Sequence, residues 1–347
     1  MQKSELIKKI GGEFDIDISE FERYSEFNTH ERLFLSGRSA LAVILKSILL
    51  IDKTARTVHL PYYICDSVVK TLLHYDLTLQ YYDLEQDYRF PTDCLEKIGE
   101  GQILFLVNYF GFTPNGKIID QIKSDRPDII VINDDVHSYW TYDTTGADYS
   151  FTSLRKHFPV IGGGLVKIKN SIEDFHKNAK IDNSFVSLKL LGATLKSLQI
   201  HDQDYLKILD KAEYILDGTY DADLAPDIVS FLFSKLNLPK IRKKRAENYK
   251  KAYELASRKG LPLMFEYNEA IIPMNVPLLV TNKNDVLSRL RSKGMFLPSY
   301  WPLGTNQDYS EQSKKLSDRQ MSILIDQRYS SEDIEWQVEL VKKYIKH

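Results

Sequence analysis

The segment SLRKHFPVIGGGL (153–165) sets Lys156 three residues after Ser153 and ahead of the glycine run 162–164. A lysine between a strand end and a glycine run can act as an amine nucleophile toward a carbonyl if its pKa is lowered. Burial beside other cations lowers it, and Arg155 and His157 flank Lys156. Thr152 or Ser153 can hold an anionic oxygen of the same ligand, and the glycines let the backbone turn tightly under a flat ring. The order excludes the phosphate loop of nucleoside triphosphatases, G-x-x-x-x-G-K-[ST], in which the lysine follows the glycines.

Twenty-two residues upstream, Asp134 closes the apolar run DIIVINDD (128–135). A carboxylate at the end of a buried strand needs a cationic partner. A protonated pyridine nitrogen is one, and the charge pair would keep that ring electron-withdrawing. The alternative is a turn or N-cap aspartate, a role Asp135 could also fill. His137 can stack on or bond the same ring, or serve as a structural histidine. Nearer the N-terminus, Ser36-Gly37-Arg38-Ser39 opens a helix. Its free N–H groups and dipole attract a phosphate, and Gly37 permits close approach. The same turn also reads as an ordinary N-cap. Tyr62, Tyr63, Tyr109 and Tyr139 lie near strand ends, where they line a pocket or pack in the core.

These residues need a scaffold that brings strand ends together. Apolar runs at 57–63, 78–84, 103–110, 128–135 and 165–169 predict strands, and 39–50, 66–75 and 118–124 predict helices. That alternation predicts a mostly parallel sheet covered on both faces, with ligands at the carboxyl ends of its strands. Beyond about residue 200 the texture changes. Helices at 240–260, 284–294 and 331–346 and strands at 276–281 and 321–325 predict a smaller α+β unit. The expected domains are 1–230 and 231–347.

The net charge of −2 gives no footprint for nucleic acid or an anionic membrane. The cluster Lys240, Arg242, Lys243, Lys244 and Arg245 reads as a solvated helix face. Cys65 and Cys94 form neither a disulfide framework nor a metal pattern, so no metal is expected. The first residues lack the apolar core of a signal peptide, and no apolar run approaches the 18 residues of a membrane span. The expected location is the cytoplasm.

Several stretches, in order, resemble the DegT/DnrJ family of pyridoxal-phosphate (PLP) sugar aminotransferases. LSGRSALAVIL (35–45) is similar to the family's S-G-T-x-A-L helix start, VHLPYYICDSVVKTL (58–72) to V-x-x-P-x-x-T, and VNYFGF (107–112) to V-H-x-Y-G. VINDDVHS (131–138) resembles V-I-E-D-A-A-Q/H, and KHFPVIGGG (156–164) keeps the spacing of K-N-x-x-x-G-E-G-G. SYWPL (299–303) and MSILIDQRYSSEDIEWQVELVKKY (321–344) resemble the family's closing stretches.

The resemblance implies an α/β chain of PLP fold type I, with a large, mostly parallel, seven-stranded type of sheet and a smaller α+β domain. It maps the Schiff-base lysine onto Lys156, the pyridine aspartate onto Asp134 and the polar residue near the ring onto His137. Gly37, Arg38 and Ser39, with Thr152 or Ser153, would cradle the phosphate. A homodimer, glutamate as donor and a nucleotide-linked keto-sugar as acceptor are implied as well. Sugar dehydration, in which a histidine replaces the lysine, and a catalytically idle relative are the alternatives. The departures are specific. Cys65 stands where the family has an aromatic residue, and Gly162 where it has an acid. The phosphate serine is shared among Ser150, Thr152 and Ser153. LAPDIVSFLF (224–233) occupies the place of N-x-R-M-S-E.

Overall fold

Runs of leucine, β-branched and aromatic residues alternate with helical segments through the first half of the chain, and the backbone follows them. The structure, a computed structural model, describes residues 9–16, 33–141, 146–168, 180–181, 183–198, 202–303 and 309–346. Lys169, expected in the last strand of the large domain, and the first eight residues lie outside the described residues. Two compact units result: Phe14–Leu238, and Met1–Glu13 with Pro239–His347. The division falls at Leu238, against an expectation near residue 230. Strand β1 (Ile10–Gly11) belongs to the second unit, where it pairs in parallel with Met295–Phe296.

The larger unit runs α1 (Gly37–Ile51), β2 (Thr57–Pro61), α2 (Asp66–His74), β3 (Thr78–Tyr82), β4 (Ile103–Val107), α3 (Gly116–Asp125), β5 (Ile130–Asp134), β6 (Tyr149–Ser153) and β7 (Gly164–Ile168). Helices α4 (Ser184–Ser197), α5 (Asp202–Asp217) and α6 (Asp227–Ser234) follow. The strands form one sheet in the order β3-β2-β4-β5-β6-β7, parallel except for β7, which runs antiparallel to β6. Among the described residues this sheet has six strands, not the seven expected. Of the described residues just before α1, Phe34 makes isolated bridges to Gly164 and Leu224. Two residues later Ser36 already caps α1, so the segment leaves the sheet before a ladder can form.

Alternation along the central strands decides what covers each face. Leu104, Leu106 and Val131 pack with Ile119 and Ile122 of α3 in one buried cluster. Phe105 packs against Phe151 of β6. Helix α1 is buried from Ser39 to Leu45, which explains an apolar stretch with no polar face. Strand β6, YSFTS, is buried at every position and was absent from the expected strands. Its serines and threonine break the apolar run by which buried strands are recognised. Thr152 is buried because its hydroxyl donates to the Asp135 carbonyl at 2.9 Å.

The glycine run has a different role from the expected turn beneath a ring. Gly163 N–H donates to the Leu35 carbonyl, and Gly164 exchanges both backbone bonds with Phe34. A Cβ on Gly164 would stand 2.2 Å from the Ser36 carbonyl oxygen. The run therefore presses the start of α1 against the end of the sheet. Gly164→Ala is expected to cost about 2–4 kcal/mol of stability, because backbone rather than a pliable side chain must move. Urea denaturation of the variant checks this.

The second unit consists of α7 (Leu238–Arg258), β8 (Asn275–Leu279), α8 (Lys283–Arg291), β9 (Met295–Phe296), α9 (Glu311–Arg319), β10 (Gln320–Leu324) and α10 (Ser331–Tyr344). Strands β8 and β10 pair antiparallel. Helix α10 starts at Ser331, as expected, and Ser330 caps it in a capping box with Asp333. Among the described residues, no helix is long and apolar enough to cross a membrane, and no group of three His, Cys, Asp or Glu side chains could hold a metal ion.

Candidate functional site

Parallel pairing from β4 to β6 brings the carboxyl ends of these strands together. Asp134 is the last residue of β5, and its Oδ1 accepts the Val136 N–H at 2.9 Å. Burial pushes its pKa up to about 6, against the opposing effects of that hydrogen bond and of the Lys156 charge. Asp135 points elsewhere. It accepts from the side-chain amides of Asn108 and Asn133, and burial pushes it up to about 8. Of the two aspartates, Asp134 is the one held beside Lys156, while Asp135 is held by amides.

Lys156 ends a short 3-10 turn, Leu154–Lys156, that directly follows β6. Its Nζ lies 3.5 Å from His137 Nε2. Burial lowers the pKa of the amine and Arg155 adds to this, while Cys65, Asp134 and Glu213 oppose it. His137 is buried, and its ring stacks on Phe110 with centroids 5.8 Å apart. Burial, reinforced by Lys156 and His157, holds this imidazole far below its usual pKa, so it is neutral. Phe110 carries a positive φ of 55°, a costly conformation for a residue with a Cβ, and that backbone sets its ring against His137. His157 turns away from the amine and bonds the Val136 carbonyl through Nε2 at 2.9 Å.

The α1 start meets this cluster. A Cβ on Gly37 would stand 3.3 Å from Ser153 Cβ and 3.5 Å from Val136 Cγ2. Gly37 thus lets the helix N-terminus approach both the β6 end and the loop after Asp134. Ser36 Oγ accepts the Ser39 N–H, and the Ser39 hydroxyl lies 3.5 Å from that same oxygen. The Arg38 side chain does not enter the cluster. Its guanidinium reaches the Leu216 carbonyl at 2.7 Å and Asp217 at 2.6 Å, which leaves its backbone N–H for an anion. Among Ser150, Thr152 and Ser153, the Thr152 hydroxyl is committed to the Asp135 carbonyl, and Ser153 is the one beside Gly37. For a phosphate held there, Ser153→Ala is expected to weaken binding by about 1.5–3 kcal/mol. Thr152→Val should instead cost about 1 kcal/mol of stability and leave affinity alone. Titration with PLP and urea denaturation separate the two.

The four tyrosines do not all gather here. Tyr63 and Tyr109 stack in the core, Tyr62 stacks on Tyr81, and Tyr139 packs with Phe158 and Phe233. Cys65 caps α2 without a side-chain cap bond and lies within electrostatic reach of Lys156. Glu213 and Lys189, from the unforeseen helices α5 and α4, stand behind Arg155. The sequence signal for Lys189 is a lone charge within the apolar stretch SFVSLKLLGA (184–193).

No protein-family model matches the chain, and no curated protein matches it in sequence. Solved structures do match. One is Spr1654 of Streptococcus pneumoniae in its PLP form, described as a sugar aminotransferase: TM-score 0.66, 14% identity, 90% of this chain and 86% of that one. Another is a DegT DnrJ EryC1 StrS aminotransferase of Brucella abortus: TM-score 0.60, 12% identity, 91% and 86%. A third is GDP-4-keto-6-deoxy-D-mannose-3-dehydratase of Escherichia coli with bound hydrated PLP: TM-score 0.62, 13% identity, 93% and 89%. The chain therefore has the α/β fold that these sugar aminotransferases and this dehydratase share.

Proposed function

We propose that the protein is a PLP-dependent aminotransferase that passes an amino group, with glutamate as donor, to a keto-sugar carried on a nucleotide. The observation that carries this reading is the meeting of Lys156, Asp134 and the α1 start at the carboxyl ends of β5 and β6. The donor set suits the cofactor. Asp134 is a buried carboxylate whose raised pKa a cationic ring nitrogen would bring down again. Gly37 opens a cradle in which the helix N–H groups and Ser153 can hold a phosphate. PLP supplies an electron-withdrawing ring that accepts the electron pair left on the substrate carbon.

The chain's own residues do the rest. Asp134 holds a proton on the ring nitrogen. The Lys156 amine, with its lowered pKa, takes a proton from the substrate carbon and returns it, at a pH where an ordinary lysine would stay charged. Neutral His137 borders that amine on one side.

The dehydratase reading draws on the similarity to the Escherichia coli enzyme. It would need a histidine in the place of the amine, and His157 is turned toward the Val136 carbonyl instead. One experiment separates the readings. Purified protein loaded with PLP is mixed with glutamate and followed by absorbance. Conversion to the pyridoxamine form with release of 2-oxoglutarate supports amino transfer. A spectrum that glutamate leaves unchanged rejects it in favour of an idle relative or a dehydratase.

A further inference from the structure

Three charged side chains meet behind the turn that carries Lys156. Arg155 makes a bidentate pair with Glu213 of α5, Nη1 to Oε1 at 2.8 Å and Nη2 to Oε2 at 3.2 Å. Lys189 of α4 reaches the same Oε1 at 2.5 Å, and its side chain is only 4% exposed. Both cations lie over the ring of Phe185, at 5.9 and 5.8 Å from its centroid. One carboxylate therefore serves two cations in a partly desolvated place. It holds its charge firmly: Arg155 and Lys189 outweigh burial and bring its pKa down to about 2. A surface ion pair of this kind would count for little, but a nearly buried lysine on a shared carboxylate does not behave as one.

We propose that Glu213 is a positioning residue for Lys156. It anchors the Leu154–Lys156 turn to α4 and α5, and it sets a negative charge against Arg155, the cation beside the amine. This inference rests on the functional reading above for its consequence, though not for its test. Three further groups face the Lys156 amine: Cys65 at the start of α2, Asp134 at the end of β5, and His137 in the loop after it. With Glu213 gone, a negative charge that favours the ammonium form is lost while Arg155 stays, and the amine releases its proton more readily. A purely structural role predicts the reverse. A loosened turn hydrates Lys156 and returns its pKa toward the ordinary lysine value.

The test is the pH dependence of Lys156 acylation by acetic anhydride in the protein without cofactor, read by mass spectrometry. The wild type is compared with Glu213→Gln, Glu213→Asp and the double variant Glu213→Gln, Lys189→Met. The midpoint should fall by about half a unit or more in Glu213→Gln. It should recover in Glu213→Asp and in the double variant, where one cation leaves with the carboxylate. A midpoint that rises or stays in Glu213→Gln overturns the proposal, as does a double variant that tracks the single one. Because no PLP is present, a wild type that fails to take up PLP would sink the functional reading and leave this result standing.

Discussion

Lys156→Ala should leave a folded protein that no longer retains PLP after borohydride reduction. Digestion of the wild type should yield one modified peptide, the one containing position 156, and that peptide should be unmodified in the variant. Amino transfer should fall by about 10²–10⁴-fold from the lost proton transfer alone. Stability should change little, because the amine's hydrogen bond to His137 is long, at 3.5 Å, and its ammonium form is disfavoured by burial. His137 is close enough to be suspected of substituting for the amine, but an imidazole has no primary amine with which to form the covalent link. A wild-type digest in which another lysine carries the label, or none does, would end the assignment.

The parts of this site readable from sequence carry local signals. Asp134 ends a buried strand that the apolar run DIIVI announces without help from the rest of the fold, and Lys156 is marked by the glycine run that follows it. The sequence leaves Asp134 open between a ring partner and a turn aspartate, and its Oδ1 does accept the Val136 N–H of the turn after β5. The parts that escaped depend on tertiary contacts. Strand β6 is polar by composition and buried only because Thr152 finds a carbonyl across the sheet. Gly162–Gly164 read as a flexible turn, yet their smallness serves the approach of residues 34–36. Arg38 lies at the expected helix start, but its direction is set by the end of α5, far away in sequence. Lys189 and Glu213 are far from Arg155 in sequence, and only the packing of α4 on α5 makes them neighbours of the Lys156 turn.

Asp134→Asn should move stability and function in opposite directions. In the protein without cofactor, the folded state binds a proton at Asp134 with a pKa of about 6, whereas an unfolded aspartate titrates near 3.9. Between these values the folded state carries more protons, so stability falls as pH rises through that window and stays lower above it. Two units correspond to at most about 3 kcal/mol. Asparagine keeps the acceptor for the Val136 N–H and removes the buried charge. The variant should therefore gain roughly 1–3 kcal/mol at pH 8, nothing below pH 4, and show a flatter stability profile. Asp135 contributes a slope of the same sign, which remains in the variant. With PLP the balance reverses. A ring nitrogen without its carboxylate loses its proton, so cofactor stabilisation should shrink and amino transfer should drop by about 10²–10³-fold. Asp135→Asn is the control for register. Its new amide would face the amides of Asn108 and Asn133, donor against donor, and should cost about 1–3 kcal/mol of stability near pH 4, a cost that shrinks as pH rises because the slope contributed by Asp135 is lost with it. Urea denaturation from pH 4 to 9, with and without PLP, reads all of these quantities. Equal profiles for Asp134→Asn and wild type, together with full activity, would remove Asp134 from the site.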